Sequence, residues 1–275
     1  MRLDGKLLAV LEVSLFETAF FVSAWLLERG GGYGWYSKTV MIILGLAGLA
    51  LHGLKGRYSP LPRNLARSLL WSAAVAALLL GGALAAIAAS ALAGTLRPVD
   101  PLAVLVDLAW FTVFVGFAEE LFFRGYVQAR LNEAFDSTYG SFLGVRFEWH
   151  QGTLITGVLF FGLPHLLTGV NPFTGYFHVG AATILMTLSA CFMGVVWGVL
   201  KEETGGIILP AVFHGLLDFA TFSVARATGI MFSAAAVGAA LFLFFTYLLP
   251  RMLQEEEPAA PRARGFTSTP RGRPR

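Results

Sequence analysis

Cysteine is almost missing from this chain of 275 residues: the single one, Cys191, stands in an apolar run. No internal disulfide and no cysteine-rich metal cluster can be built from it, and a small buried packing residue is its natural role. Charge is scarce as well. Asp, Glu, Lys and Arg supply 13% of the residues, against about 25% in ordinary soluble domains. The net charge of +3 is carried by basic residues bordering apolar segments, which points to lipid headgroups and excludes a nucleic-acid footprint. No Ser or Cys sits in a nucleophile motif, and His-Glu-x-x-His is absent.

What the chain has instead is apolar length. Hydrophobic residues make up 56% of it, with 24 Phe and 6 Trp, and the mean hydropathy is +0.68. A membrane helix needs about 20 mainly apolar residues. Eight segments qualify: 7–27, 39–54, 68–93, 103–126, 151–167, 180–200, 207–225 and 230–249. The expected fold is therefore all-α, a polytopic transmembrane bundle of about eight helices forming one domain over 1–253. The first segment carries Glu12 and Glu17 and no small-residue cleavage site, so it reads as an uncleaved helix rather than a secretion signal. Residues 254–275, rich in Glu, Pro and Arg, read as a disordered cytoplasmic tail.

With the N-terminus cytoplasmic, eight crossings put fifteen Lys and Arg inside and four outside, namely Arg29, Lys38, Arg97 and Arg226. That bias predicts both termini in the cytoplasm. Trp35 and Tyr36, just before the second segment, suit an interfacial belt.

Three segments carry groups that a purely structural membrane helix avoids. They are Ala118-Glu119-Glu120-Leu121-Phe122-Phe123-Arg124-Gly125, Phe161-Gly162-Leu163-Pro164-His165, and His214-Gly215-Leu216-Leu217-Asp218. A charge at a helix centre costs roughly 2.5–3.5 kcal/mol on insertion scales, so such groups pair with one another, face water, or serve a function. Glu120 and Arg124 are four apart on one helical face, acid before base, and can pair. Glu119 points about 100° away, which leaves it free to act. His214 and Asp218 are likewise four apart, and His165 follows a proline near a helix end.

A carboxylate, two histidines and one further hydrogen-bonding group suffice for hydrolysis by attack of water. The carboxylate acts as general base, while imidazoles and Asp218 bind water, oxyanion or leaving group. The same side chains also make a conceivable zinc set, ranked lower because Glu120 is tied to Arg124. A proton-coupled transporter would use similar Glu and His relays, but the chain shows no internal repeat.

At these residues the sequence resembles the CPBP family (ABI or CAAX-protease-like, Rce1-type) of intramembrane glutamic endopeptidases. That family's pattern is Glu-Glu-x-x-x-Arg, Phe-x-x-x-His and His-x-x-x-Asn or Asp on three successive motif helices. Here it reads Glu119-Glu120…Arg124, Phe161…His165 and His214…Asp218, within 107–220. The resemblance implies that Glu119 activates water and that His165 binds the water or the substrate carbonyl. It implies that His214 and Asp218 stabilise the oxyanion, and that Glu120, Arg124 and Phe161 support them, with no cofactor. Asp218 departs from the best-known branch, which has Asn: an ionised Asp cannot donate to an oxyanion, whereas a protonated one, or one paired with His214, can. Some members of the superfamily are non-enzymatic binding or bacteriocin-immunity proteins. An Ala/Gly/Arg/Leu-heavy chain suggests a prokaryotic cytoplasmic membrane, and with it a membrane-anchored protein or peptide as substrate.

Measured along ideal helices, Glu119 falls nearer the cytoplasmic side than His165. Tilt, or a re-entrant stretch within 131–150, would reconcile the two depths. His52, His150 and His178 read as interfacial or packing residues. Glu12 and Glu17 do not share a face, and lining a cavity or meeting a partner is a lesser reading for them. The Ala73–Ala93 run with Gly81-Gly82 reads as close helix packing, and Asn171-Pro172-Phe173-Thr174-Gly175 as a turn.

Overall fold

The computed structural model describes residues 4–29, 34–54 and 56–254. Eight helices are long and apolar enough to cross a bilayer: α1 Gly5–Leu27, α2 Trp35–His52, α3 Leu65–Leu92, α4 Pro101–Ala134, α5 Gln151–Gly169, α6 Ala181–Thr204, α7 Ile208–Thr228 and α8 Ile230–Gln254. The protein is a polytopic all-α bundle, with two short antiparallel hairpins that the apolar pattern does not predict. These are β1 Thr138–Phe142 with β2 Val145–His150, and β3 Val170–Asn171 with β4 Tyr176–Phe177. Only Gln254 of the expected tail 254–275 is among the described residues, and it ends α8.

Leucines such as Leu15, Leu51, Leu70, Leu84 and Leu185 stand exposed on the outer faces of the helices. In water they would destabilise the fold; in hydrocarbon they cost nothing, and a helix satisfies its backbone polar groups internally. Inside, small residues let helices approach. Gly116 on α4 and Gly215 on α7 each face backbone of the other helix at a spacing with no room for a methyl. A Cβ on Gly157 of α5 would fall 2.6 Å from the Val195 nitrogen of α6. These two crossings bring α4, α5, α6 and α7 together around one interior point.

The turns at one face of the bundle are knitted by polar contacts. Arg57 Nη1 donates to the Asn132 carbonyl, Arg63 to the carbonyls of Glu202 and Glu203, and Arg67 to that of Met252. At the opposite face the Arg97 backbone N–H donates to the Ala227 carbonyl at 2.8 Å, and Asn171 Nδ2 to the Trp25 carbonyl at 3.2 Å. The helices thus alternate in direction, and α1 begins on the face where α8 ends.

Two boundaries differ from those expected of the sequence, with consequences. The second helix starts at Trp35, not residue 39, because the Glu28 carboxylate beyond α1 accepts from the Ser37 backbone N–H (2.9 Å) and satisfies the first turn. Lys38, expected in an outer loop, is therefore inside α2. Trp35 packs one face against Trp110 and Phe114, with ring centroids 4.3 and 4.6 Å away, and both Trp35 and Tyr36 stay exposed.

The fourth helix runs on to Ala134, not residue 126. Its polar final turns are compensated: Arg130 Nε meets Glu12 Oε2 at 2.8 Å, and Asn132 Nδ2 donates to Thr153 Oγ1 at 3.1 Å. The β1–β2 hairpin then occupies the place of the expected re-entrant stretch. Leu143 and Gly144 both take positive φ at its turn, and Phe142, Val145 and Trp149 are buried.

This extension removes the mismatch in depth. Glu119 stands fifteen residues before the end of α4, and His165 fourteen after the start of α5. Each lies about 20 Å along its helix, from ends that the Asn132–Thr153 bond holds side by side.

Candidate active site

Helix geometry is unusual at the polar motifs. α4 widens into a π-helical stretch over Glu120–Val127, immediately after Glu119. α5 is π-helical over Thr156–Gly162 and then tightens into a 3-10 helix over Leu163–Gly169. Such departures cluster at functional sites, because they re-aim side chains that a regular helix would point elsewhere. Pro164 has no N–H to offer the preceding turn, and the Phe161 carbonyl instead accepts from His165 Nδ1 at 2.8 Å. A carbonyl can only accept, so Nδ1 carries the proton. In the neutral ring Nε2 then presents its lone pair to the interior.

On α4, Glu120 and Arg124 are fully buried, with Arg124 Nε 3.2 Å from Glu120 Oε2. The guanidinium lies over the Phe161 ring at 4.3 Å and 5.9 Å from that of Trp197, an aromatic enclosure that suits a weakly hydrated planar cation. The other oxygen of Glu120 accepts from His214 Nδ1 at 3.0 Å. His214 is held a second time by Trp197, stacked on it at 3.9 Å. Its Nε2 faces Asp218 Oδ2 at 3.5 Å and Glu119 Oε2 at 3.7 Å. Glu119 Oε1 is taken by Lys38 Nζ, reaching in from α2.

Glu119, Phe161, His165, His214, Asp218 and Trp197 all line one cavity of about 470 Å³, which α6 and α7 flank. A second cavity, about 560 Å³ and bordered by α1, α2 and α5, shares Glu119, Phe161 and His165 with the first and adds Lys38. The Glu119–His165 region is thus where two cavities meet.

Residues 101–220 match the family model described as type II CAAX prenyl endopeptidase Rce1-like. That match supports a place for the chain in the CPBP, or CAAX-protease-like, family. Searches among curated proteins and among solved structures gave no match. The match and the eight membrane-length helices together suggest an integral membrane protein similar to CAAX-type proteases.

In this CAAX-protease-like chain the seven residues singled out from sequence converge. Glu119, Glu120 and Arg124 come from α4, Phe161 and His165 from α5, and His214 and Asp218 from α7. Two further members escape a reading of the sequence. Lys38 counts there as a loop cation, although its place at the edge of an apolar segment was a signal. Trp197 is one aromatic among many in a uniformly apolar run, and nothing local marks it. Among the described residues no three His, Cys, Asp or Glu side chains are arranged to hold a metal ion.

Residues set aside from the site also have partners. Glu12 is engaged by neighbouring helices: it accepts from Tyr126 Oη (2.8 Å) and Arg130, and His52 Nε2 lies 2.6 Å away. His150 Nδ1 lies 2.6 Å from Glu202. Both histidines therefore tie helices together by hydrogen-bond contacts, at helix ends. Gly82 packs close to the Ala236 carbonyl of α8, whereas Gly81 faces open space. The turn at 171–175 joins β3 to β4, with Gly175 at φ +68°.

Proposed function

We propose that this protein is an intramembrane glutamic endopeptidase, cleaving a peptide bond of a membrane-anchored protein or peptide with water activated by Glu119. The observation that carries the reading is the convergence of Glu119, His165, His214 and Asp218, from three helices, on one cavity wall. Water held between Glu119 and His165 Nε2 loses a proton to Glu119 Oε2 as its oxygen attacks the carbonyl carbon. His214, with Nδ1–H committed to Glu120, offers Nε2–H to the developing oxyanion when it is imidazolium. Asp218, beside that nitrogen, steadies the charged ring or, protonated, donates itself. Glu119 then passes its proton to the leaving nitrogen as the C–N bond breaks, giving a carboxylate and an amine.

No cofactor enters these steps. Both oxygens of Glu120 are engaged, by Arg124 and His214, which weighs against a zinc site built from both glutamates. Metal analysis of the purified protein, together with activity in chelator, tests that alternative. The Lys and Arg bias supports cytoplasmic termini, the Ala/Gly/Arg/Leu-heavy composition supports a prokaryotic membrane, and the largely apolar first cavity suits a substrate arriving from the bilayer.

The test compares protein termini across the native membrane proteome in cells carrying wild type or Glu119→Gln at equal abundance. New termini that depend on Glu119 name the substrate and support the reaction. Identical termini under several growth conditions overturn it in favour of a binding or immunity role.

A further inference from the structure

We infer that Lys38 is the positioning residue of the site: it holds one carboxylate oxygen of Glu119 so that the other faces the water and His214. The inference rests on the reading of Glu119 as the base. Glu119 is buried near the middle of the membrane-length helix α4, and a carboxylate there is ionised only if a cation compensates its lost hydration. Arg124 acts on Glu119 only at longer range, because its ion pair is with Glu120 and Phe161 and Trp197 enclose it. The other charged or titratable groups facing Glu119 are His165, His214 and Asp218, and the last of these is an acid. Lys38 is the basic side chain placed to pair with Glu119, and it does so through Oε1, leaving Oε2 toward His214.

The lysine is itself held in place. Its helix turn is clamped by Glu28, which accepts from the Ser37 N–H, and by Trp35 packed on Trp110 and Phe114. Lys38 and Glu119 border the same cavity, so the ammonium meets the reacting groups rather than sealing a remote helix contact. A compact ammonium on a flexible stem can follow the carboxylate as it gains and loses a proton, which a rigid guanidinium fork does less well.

The experiment uses the full chain as wild type, Lys38→Met, Lys38→Arg and Glu119→Gln, at matched abundance and with unfolding midpoints recorded. In isolated native membranes, the rate at which Glu119-dependent termini appear should fall about a hundredfold in Lys38→Met. It should recover to within tenfold of wild type in Lys38→Arg. Infrared spectra of purified, substrate-free protein should show a protonated-carboxyl C=O band in Lys38→Met that vanishes in Lys38→Met/Glu119→Gln and is missing from wild type. Wild-type or faster rates in Lys38→Met, with Glu119→Gln silent, overturn this inference alone, as does absence of the infrared band. Termini that form equally in Glu119→Gln overturn the base reading and this inference with it.

Discussion

Trp197 lies flat on His214, ring centroids 3.9 Å apart and planes 17° from parallel. The indole fixes the tilt of the imidazole while Glu120 fixes its rotation, so Nε2 is aimed at Asp218 and Glu119 without a backbone contact. The same indole stands near Arg124 and meets Phe161 edge-on. One aromatic thus supports both the buried cation and the candidate catalytic ring.

Trp197→Ala should open a void behind His214 and lower stability by about 3–5 kcal/mol, the usual range for such truncations. Trp197→Phe keeps a ring and should lose less than half of that. Unfolding midpoints in detergent check both. The rate of forming Glu119-dependent termini should fall further than occupancy of the folded state explains in Trp197→Ala.

Gly116→Ala should force α4 away from α7, since a methyl there meets the Ala211 carbonyl and Gly215 backbone. A cost of about 1–3 kcal/mol is expected, together with loss of cleavage, because that crossing sets Glu119 beside His214. Gly81→Ala, which meets nothing within 4 Å, should be neutral on both counts. Equal effects from the two substitutions would refute the crossing as the cause.

Asp218→Asn keeps the shape of the side chain and supplies an N–H, so cleavage should stay within about tenfold of wild type. Asp218→Ala removes both charge and hydrogen bonding, and should cost about 10²–10³ in rate. Initial rates in native membranes, at matched protein abundance, separate the two. Equal loss in both would assign Asp218 a role that needs its charge.

The Glu12–Arg130 pair lies about three turns along α4 from Glu119 and is partly exposed, with side-chain accessibilities of 22% and 11%. A double-mutant cycle with Glu12→Gln and Arg130→Met should give a coupling of about 1 kcal/mol. Cleavage at matched folded protein should be unaffected, since this network ties α1 and α4 rather than building the site.

Much of this architecture is legible in the residues alone. The number of crossings follows from the lengths of apolar runs, because a bilayer admits only segments that satisfy their own backbone and cover about 30 Å of hydrocarbon. The three polar motifs stand out because charge is expensive there, and spacing of four residues alone predicts the Glu120–Arg124 and His214–Asp218 neighbours.

Tertiary structure decided the rest. Hydropathy ends a helix where polar residues begin, so α4 looks finished at residue 126; partners distant in sequence, Glu12 on α1 and Thr153 on α5 among them, make its polar final turns tenable. That extension aligns Glu119 with His165. Lys38 and Trp197 are functional candidates only through what they touch across helix boundaries, and no local pattern encodes a contact between residues 81 apart. Sequence by itself determined that ionisable groups must meet inside the membrane, because each alone would be too costly; only packing decided which cation meets which carboxylate, because that depends on how closely the glycines let the helices approach.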